Sequence, residues 1–373
     1  MQPSGFVDKN IVHPRRLSLI AVIILSLLIA SAADYLLVFW LTIPQVPSAF
    51  VGIYRRVGPE SGSQVFCAGS SLTVSAFSWS EVSQGFGQGI ETWGVGGSSP
   101  DIWEEWQKQR PLSNVTIIGV SVYDLNENHI ADARANVVPF ARTTEDLWES
   151  QAGSDISHRI LGQYPLKYAR VFFPTAGNTD RVLVGLRVKA SQLLGKEATL
   201  AQHEGIMFEP PPPILDAGQS TSSIAEWSSD HLIRRLAVLR AENRGRHEFL
   251  RGPKNCALHR LLSQAHRQGR VILVVLPVSK PYTQEFLDKN SDAAFEEAIR
   301  QAVAIVPDAA LVRLDHLPGI LDPANFFDLV HLNSRGRRLA TQAFLADMSR
   351  SGSSQTRAAS FGPTSSSPAQ YEQ

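Results

Sequence analysis

The sequence predicts an α/β protein: a three-layer α/β/α sandwich with a central, mainly parallel five-stranded sheet, behind an N-terminal transmembrane helix. Two observations predict it, and a third excludes one class of function. Strand-like runs that are apolar on both faces alternate with helix-like runs, the pattern of a parallel sheet covered on both sides. A charge-free apolar run, "LSLIAVIILSLLIASAA" at 17–33, follows Arg15 and Arg16. The 373 residues carry Lys+Arg 35 against Asp+Glu 35, and a chain with no basic excess is a poor nucleic-acid binder.

The apolar run comes first in the chain. Resumed after Asp34 by "YLLVFWLTIP", it meets the length of about 20 residues that a membrane crossing needs. A transmembrane helix is assigned to 17–41. Flanking basic residues stay on the cytoplasmic side. Residues 1–16 are therefore expected in the cytoplasm and the rest outside, as a single-pass protein of the inner or plasma membrane with a periplasmic domain. Tyr35 and Trp40 suit the far interface. "ASA" at 30–32 also resembles a signal-peptidase site, so a cleaved signal peptide is the rival reading. Residues 42–62 read as a polar linker. From 350 the chain is Ser-rich with few apolar residues, a composition expected to stay disordered.

The domain is placed at 63–349. "SQVFCAG" (63–69) is a short apolar strand, and residues 71–87 can form a helix. "IETWGVGG" (90–97) is a strand running into a Gly-rich turn. "SSPDIWEEWQKQ" opens a helix with Ser99 as cap, Pro100 in its first turn and Asp101 at the positive end of its dipole. "NVTIIGVSVYDL" (114–125) is a buried, β-branched strand; its formal glycosylation sequon at Asn114 is discounted on that ground. A helix (256–269), a continuous apolar strand (270–278), a helix (293–306), a strand (309–314) and a closing helix (334–349) follow. Residues 127–255 break the rhythm and read as an insertion.

Ligands of an open parallel sheet bind at the carboxyl ends of its strands. Ser70 and Ser71 lie at the first such end, after Gly69, which is expected to allow a sharp turn. A plain helix cap would use the same residues. A serine hydroxyl becomes a nucleophile beside a base oriented by a third group. "DLVHLNSRG" (328–336) supplies both: Asp328 and His331, three residues apart, would share one face of a helical turn. Asp328 can then hold Nδ1 while Nε2 faces Ser71. A lone DxxH would be an ordinary histidine; the pairing with Ser71 distinguishes this one.

Together these residues resemble the SGNH, or GDSL-type, esterase and acyltransferase superfamily, over roughly 63–126 and 270–345. The resemblance implies a flavodoxin-like sheet and acyl transfer by a Ser71–His331–Asp328 triad. The first block appears as Gly69-Ser70-Ser71-Leu72, with Ser70 where the family has an acid. Gly97, flanked by Gly96 and Gly94, matches the second block's oxyanion glycine. In the third block Ser121 stands at the place of the family's Asn, and Asn126 follows a few residues late; either would be the remaining oxyanion donor. The fifth block matches as Asp328, His331, Leu332, Asn333 and Gly336. The resemblance requires no cofactor and no metal.

Other chemistry finds little support. Cys67 and Cys256 form no zinc spacing, and Cys67 reads as a buried hydrophobe. His129, His158, His203, His259, His266 and His316 show no metal spacing. There is no G-x-S-x-G elbow and no Walker A motif. Trp93, Trp103 and Trp106 read as core, with Trp93 as a sugar-lining alternative. Arg335, Arg337 and Arg338 read as a solvated face. By analogy with anchored relatives, the expected substrate is an acylated carbohydrate or other ester of a cell-envelope or exported polysaccharide, with polysaccharide-biosynthesis membrane proteins as partners and no nucleic acid. A general lipase or carboxylesterase and a non-catalytic scaffold of a polysaccharide export complex are the alternatives.

Overall fold

The computed structural model describes residues 14–40, 53–57, 64–95, 97–108, 114–130, 134–173, 175–176, 186, 189–190, 220–243 and 247–359. The chain divides into two compact units, Met1–Pro47 with Tyr164–Glu209, and Ser48–Gln163 with Pro210–Gln373.

Helix α1 (Pro14–Trp40) belongs to the first unit. Its stretch Leu19–Leu37 has a mean hydropathy of 2.3 and is long and apolar enough to cross a membrane.

The second unit holds a six-stranded sheet in the order β1-β3-β2-β4-β5-β6. The strands are β1 (Ile53–Val57), β2 (Gln64–Ser70), β3 (Gly89–Val95), β4 (Val115–Val120), β5 (Arg270–Val275) and β6 (Ala310–Arg313). Five of them are parallel, as the sequence predicts. Numbered along the chain, these five run 2-1-3-4-5. The order therefore reverses between β2 and β4, where open α/β sheets bind ligands. The sixth, β1, pairs antiparallel with β3 from Ile53↔Gly94 to Val57↔Ile90. It lies inside the expected linker; alone it is too short and too polar to declare itself, and β3 supplies its hydrogen bonds. Behind their first residues, β4 and β5 are buried throughout. Each such Val, Ile or Leu contributes about 1.5–3 kcal/mol on burial, which explains their unbroken apolar runs.

Two groups of helices surround the sheet. One contains α2 (Ser71–Ala76), α3 (Trp79–Phe86) and α14 (Ser334–Ala359). The other contains α4 (Pro100–Gln107), α7 (Phe140–Glu149), α11 (Pro253–His266) and α13 (Lys289–Ile305). The single helix expected over 71–87 is broken at Phe77. That residue is extended and fully buried, with its ring 5.2 Å from that of Trp79 and 5.0 Å from that of Phe344. The closing helix runs on to Ala359, past the expected boundary at 349; residues 360–373 lie outside the described ones. Asn114 is exposed just ahead of β4 while Thr116 is fully buried, so the sequon begins before the strand and not within it.

The described residues of the insertion hold helices and no strand: α5 (Val122–Leu125) leads into it, and α6 (Arg134–Val137), α7, α8 (Ser154–Leu161), α9 (Gln163–Phe172) and α10 (Ser229–Asn243) follow. Buried charges tie it to the sheet's helices. Arg134 pairs with Asp101 at the start of α4 and donates to Thr143 Oγ1 at 2.9 Å. Arg260 on α11 donates to Glu104 at 2.8 and 2.9 Å and to Asp146 at 3.1 Å. The remaining helix, α12 (Lys280–Phe286), follows β5 and is capped by Ser279.

Candidate active site

Ser70 ends β2 and Ser71 begins α2. The Ser70 hydroxyl accepts from Leu72 N at 3.1 Å, so Ser70 is the helix cap and Ser71 is released from that duty. The N–H of Ser71 heads the helix, where no earlier helical carbonyl can accept it. Gly69 serves packing and not the sharp turn expected of it, since its φ lies outside the left-handed region. A Cβ at Gly69 would stand 2.0 Å from Thr73 Oγ1, and one at Gly119 would stand 2.4 Å from it. Thr73 thus fills the notch between the ends of β2 and β4, donating to the Gly119 carbonyl at 3.2 Å.

Ser71 Oγ lies 2.9 Å from His331 Nε2, across 260 residues of sequence. His331 Nδ1 lies 2.8 and 3.0 Å from the two carboxylate oxygens of Asp328. The carboxylate can only accept, so Nδ1 carries the proton and Nε2 is the acceptor that faces the serine. The helical turn expected at 328–331 is absent. Asp328 Oδ1 instead accepts the backbone N–H of Val330 (2.9 Å) and of His331 (2.7 Å), so one side chain both bends the loop and orients the ring. Burial pushes the Asp328 carboxyl up, but the His331 charge and these hydrogen bonds outweigh it and leave it at about 2. Burial pulls the His331 imidazole down, and Asp328 outweighs that too, so its pKa ends above the ordinary 6.5.

The rest of "DLVHLNSRG" holds the loop. Leu332 is buried. Asn333 Oδ1 accepts from Arg335 N and Gly336 N, capping α14, while its Nδ2 donates to Ser222 O and Ala324 O. Gly336 lets the helix approach closely, as a Cβ there would meet Asn325 O at 2.2 Å. Sequence reasoning missed Ser279. Its hydroxyl and backbone N–H donate to Leu329 O at 2.8 and 3.1 Å, anchoring the histidine loop to the end of β5. Only its place after a buried strand signalled it.

Gly97 lies just past β3, whose Val95 pairs with Ser70. It has φ +67, the left-handed region that favours glycine. Gly94 pairs with Gly69, one step before the register ends at Val95; Gly96 and the Trp93 side chain lie outside the described residues. The two third-block residues are otherwise engaged. Ser121 Oγ donates to Asp124 Oδ2 at 2.8 Å and accepts from Tyr123 N and Asp124 N, capping α5. Asn126 Nδ2 donates to Asn243 Oδ1 at 3.3 Å, and its Oδ1 accepts from Asn128 N and Glu248 N. The hydroxyl proton of Ser121 therefore serves the α5 turn, and the amide of Asn126 ties that turn to the insertion.

Asp124 also escaped the sequence reading. It is buried, with Oδ1 unpaired. Burial raises its pKa to about 6 against the pull of the Ser70 and Ser121 hydroxyls and of Lys254. Lys254 Nζ, itself buried, donates to Asp124 O and Asn126 O at 3.0 and 2.8 Å. Burial drives Lys254 down and Glu127 up, and it raises Asp101, which the Arg134 guanidinium, the Ser99 hydroxyl and Lys254 together more than offset. Among the described residues, Glu296, Asp315 and His316 bring ligand atoms within 4.8 Å of one another. The Arg313 guanidinium binds both acids there and supplies the positive charge itself.

A hydroxyl 2.9 Å from an imidazole that is braced by a carboxylate can pass its proton to Nε2 as it attacks a carbonyl carbon. No protein-family model matches the chain, and no curated protein matches it.

Proposed function

We propose that the protein is a membrane-anchored serine ester hydrolase or O-acyltransferase of the SGNH type, acting outside the cytoplasm. The observation that carries the proposal is the 2.9 Å contact between Ser71 and His331, with Asp328 on the far nitrogen. Ser71 attacks the acyl carbonyl and His331 takes its proton. The N–H groups of Ser71 and Gly97 hold the oxyanion. His331 then protonates the leaving oxygen, and water or a sugar hydroxyl, deprotonated in turn by His331, releases the acyl group. The two helix groups cover opposite faces of the sheet, which makes the domain a three-layer sandwich. Arg15 and Arg16 keep the N-terminus of α1 in the cytoplasm. An acylated envelope or exported polysaccharide is the substrate class, by analogy with the family.

The test is hydrolysis of p-nitrophenyl acetate by the full chain in detergent. Ser71→Ala or His331→Ala lowers the rate to background, a loss of about 10⁶-fold where such groups act as a unit. Equal rates in wild type and both variants would overturn the assignment. The engagement of Ser121 and Asn126 favours a second reading, a non-catalytic scaffold. A folded wild-type chain that a fluorophosphonate probe leaves unlabelled at Ser71 would establish it.

A further inference from the structure

The first compact unit pairs the membrane-length helix with a piece of the insertion. Along α1, the described side chains from Leu19 to Trp40 are exposed except Ser31, Asp34 and Leu37. Those three recur every third residue and form one stripe of the helix. The insertion covers that stripe. Ser31 Oγ donates to the Phe172 carbonyl at 2.5 Å. Asp34 accepts from Thr175 at both oxygens, from the backbone N–H at 2.9 Å and from Oγ1 at 2.5 Å. Beyond them, Lys189 Nζ stands 5.9 Å from the centre of the Trp40 ring.

These contacts fix a depth. Ser31 and Asp34 both fall inside the apolar stretch Leu19–Leu37. At 1.5 Å per residue they lie about 14 and 9 Å short of Trp40 along the axis. The end of α9 and Thr175 are therefore held at a level where α1 is otherwise apolar. The acid of the span meets two donors there, as a carboxylate removed from water must. On α9, Tyr168 and Phe172 are four residues apart and share a face; they are 52% and 60% exposed. Lys167 lies 6.0 and 5.9 Å from the rings of Tyr164 and Tyr168, the cation-with-aromatic pairing common at a headgroup boundary.

We infer that α9 and Thr175 form a second membrane contact, seated against α1 in the outer leaflet, with Tyr168 and Phe172 facing lipid. The inference rests on α1 crossing the membrane, as proposed above. In this arrangement α9 and Thr175 form a collar on the anchor within the first unit, and the partner of the exposed aromatic face of α9 is the bilayer.

The test uses the full chain in phosphatidylcholine vesicles, with Cys256→Ser and the buried Cys67 kept. An environment-sensitive fluorophore is attached to Phe172→Cys, Leu25→Cys or Arg300→Cys in turn. Leu25 lies mid-span and is 58% exposed, and Arg300 is a polar surface residue 72% exposed. The label at 172 is expected to emit blue-shifted from that at 300. Lipids spin-labelled near the headgroup quench it, and aqueous iodide quenches it severalfold less than at 300. A label at 172 that behaves like the one at 300, while that at 25 lies in lipid, overturns the collar and leaves the anchor standing. A water-exposed label at 25 overturns both. A label at 172 shielded from iodide yet untouched by spin-labelled lipid overturns the lipid assignment in favour of a protein partner.

Discussion

Two buried polar clusters lie on either side of Ser70. Toward the closing helix, Ser71, His331 and Asp328 form a line in which the hydroxyl can hand its proton to the imidazole and the carboxylate holds the ring. Toward the insertion, Lys254, Asp124, Glu127, Asp101 and Arg134 form a knot, with charges of both signs fully enclosed. The line leaves one end open: Nε2 faces a hydroxyl, and the hydroxyl faces whatever binds. The knot is closed, since Lys254 gives its protons to two backbone carbonyls and Asn255 N caps Glu127 at 2.9 Å. Similar residues thus do opposite work. A chain with an open end can move a proton, whereas a closed mesh only holds backbone in place.

The sharpest way to break the line is Asp328→Asn. It keeps the shape but lets the imidazole adopt the wrong tautomer, so the esterase rate falls about 10⁴-fold with little change in folding. The pH profile moves with it. The wild-type rate is expected to rise with pH as His331 loses its proton, through an apparent pKa above 6.5; without the Asp328 carboxylate only the smaller pull of Asp124 opposes burial, and the midpoint drops below the wild-type one. The same shifts carry stability. Asp328, held down to about 2, contributes above its ordinary 3.8 and loses the contribution as pH falls toward 2. His331, held up, contributes below 6.5 and loses it as pH rises through its folded value. A pH profile that Asp328→Asn leaves in place would separate the carboxylate from the base.

Breaking the knot has the reverse signature. Lys254→Met leaves Asp124, Glu127 and Asp101 with one buried cation fewer, and unfolding in urea should show a loss of about 3–5 kcal/mol. Unchanged stability would mean that the knot is not holding the insertion. The smallest effect is expected at Gly97→Ala. Nothing lies within 4 Å of the added methyl, so the cost is the left-handed backbone alone, about 1–2 kcal/mol. If Gly97 N–H holds the oxyanion, the esterase rate falls more than that stability loss explains.

Much of the line was legible in sequence because its parts announce themselves locally. β2, β4 and β5 are apolar runs, and Asp328 and His331 are three residues apart. The knot was not legible. Lys254 and Asp124 are separated by 130 residues, and a lone lysine or acid in a sequence reads as solvated surface. The edge strand β1 was hidden for a related reason, since it takes its bonds from β3. Ser121 was ambiguous in sequence because one hydroxyl can either donate to a ligand or cap a turn, and the cap depends on the position of Asp124.

With Thr73 lodged between two strand ends, α2 is keyed into the sheet as a tenon into a mortise. To slide, the helix would have to lift that side chain past both Gly69 and Gly119. The position of the Ser71 hydroxyl is therefore keyed to the ends of two central strands. Changes to the insertion that spare Ser220, Ser222, Ile224 and Lys254, which hold the histidine loop and the α5 turn, would leave the reach of that hydroxyl unchanged.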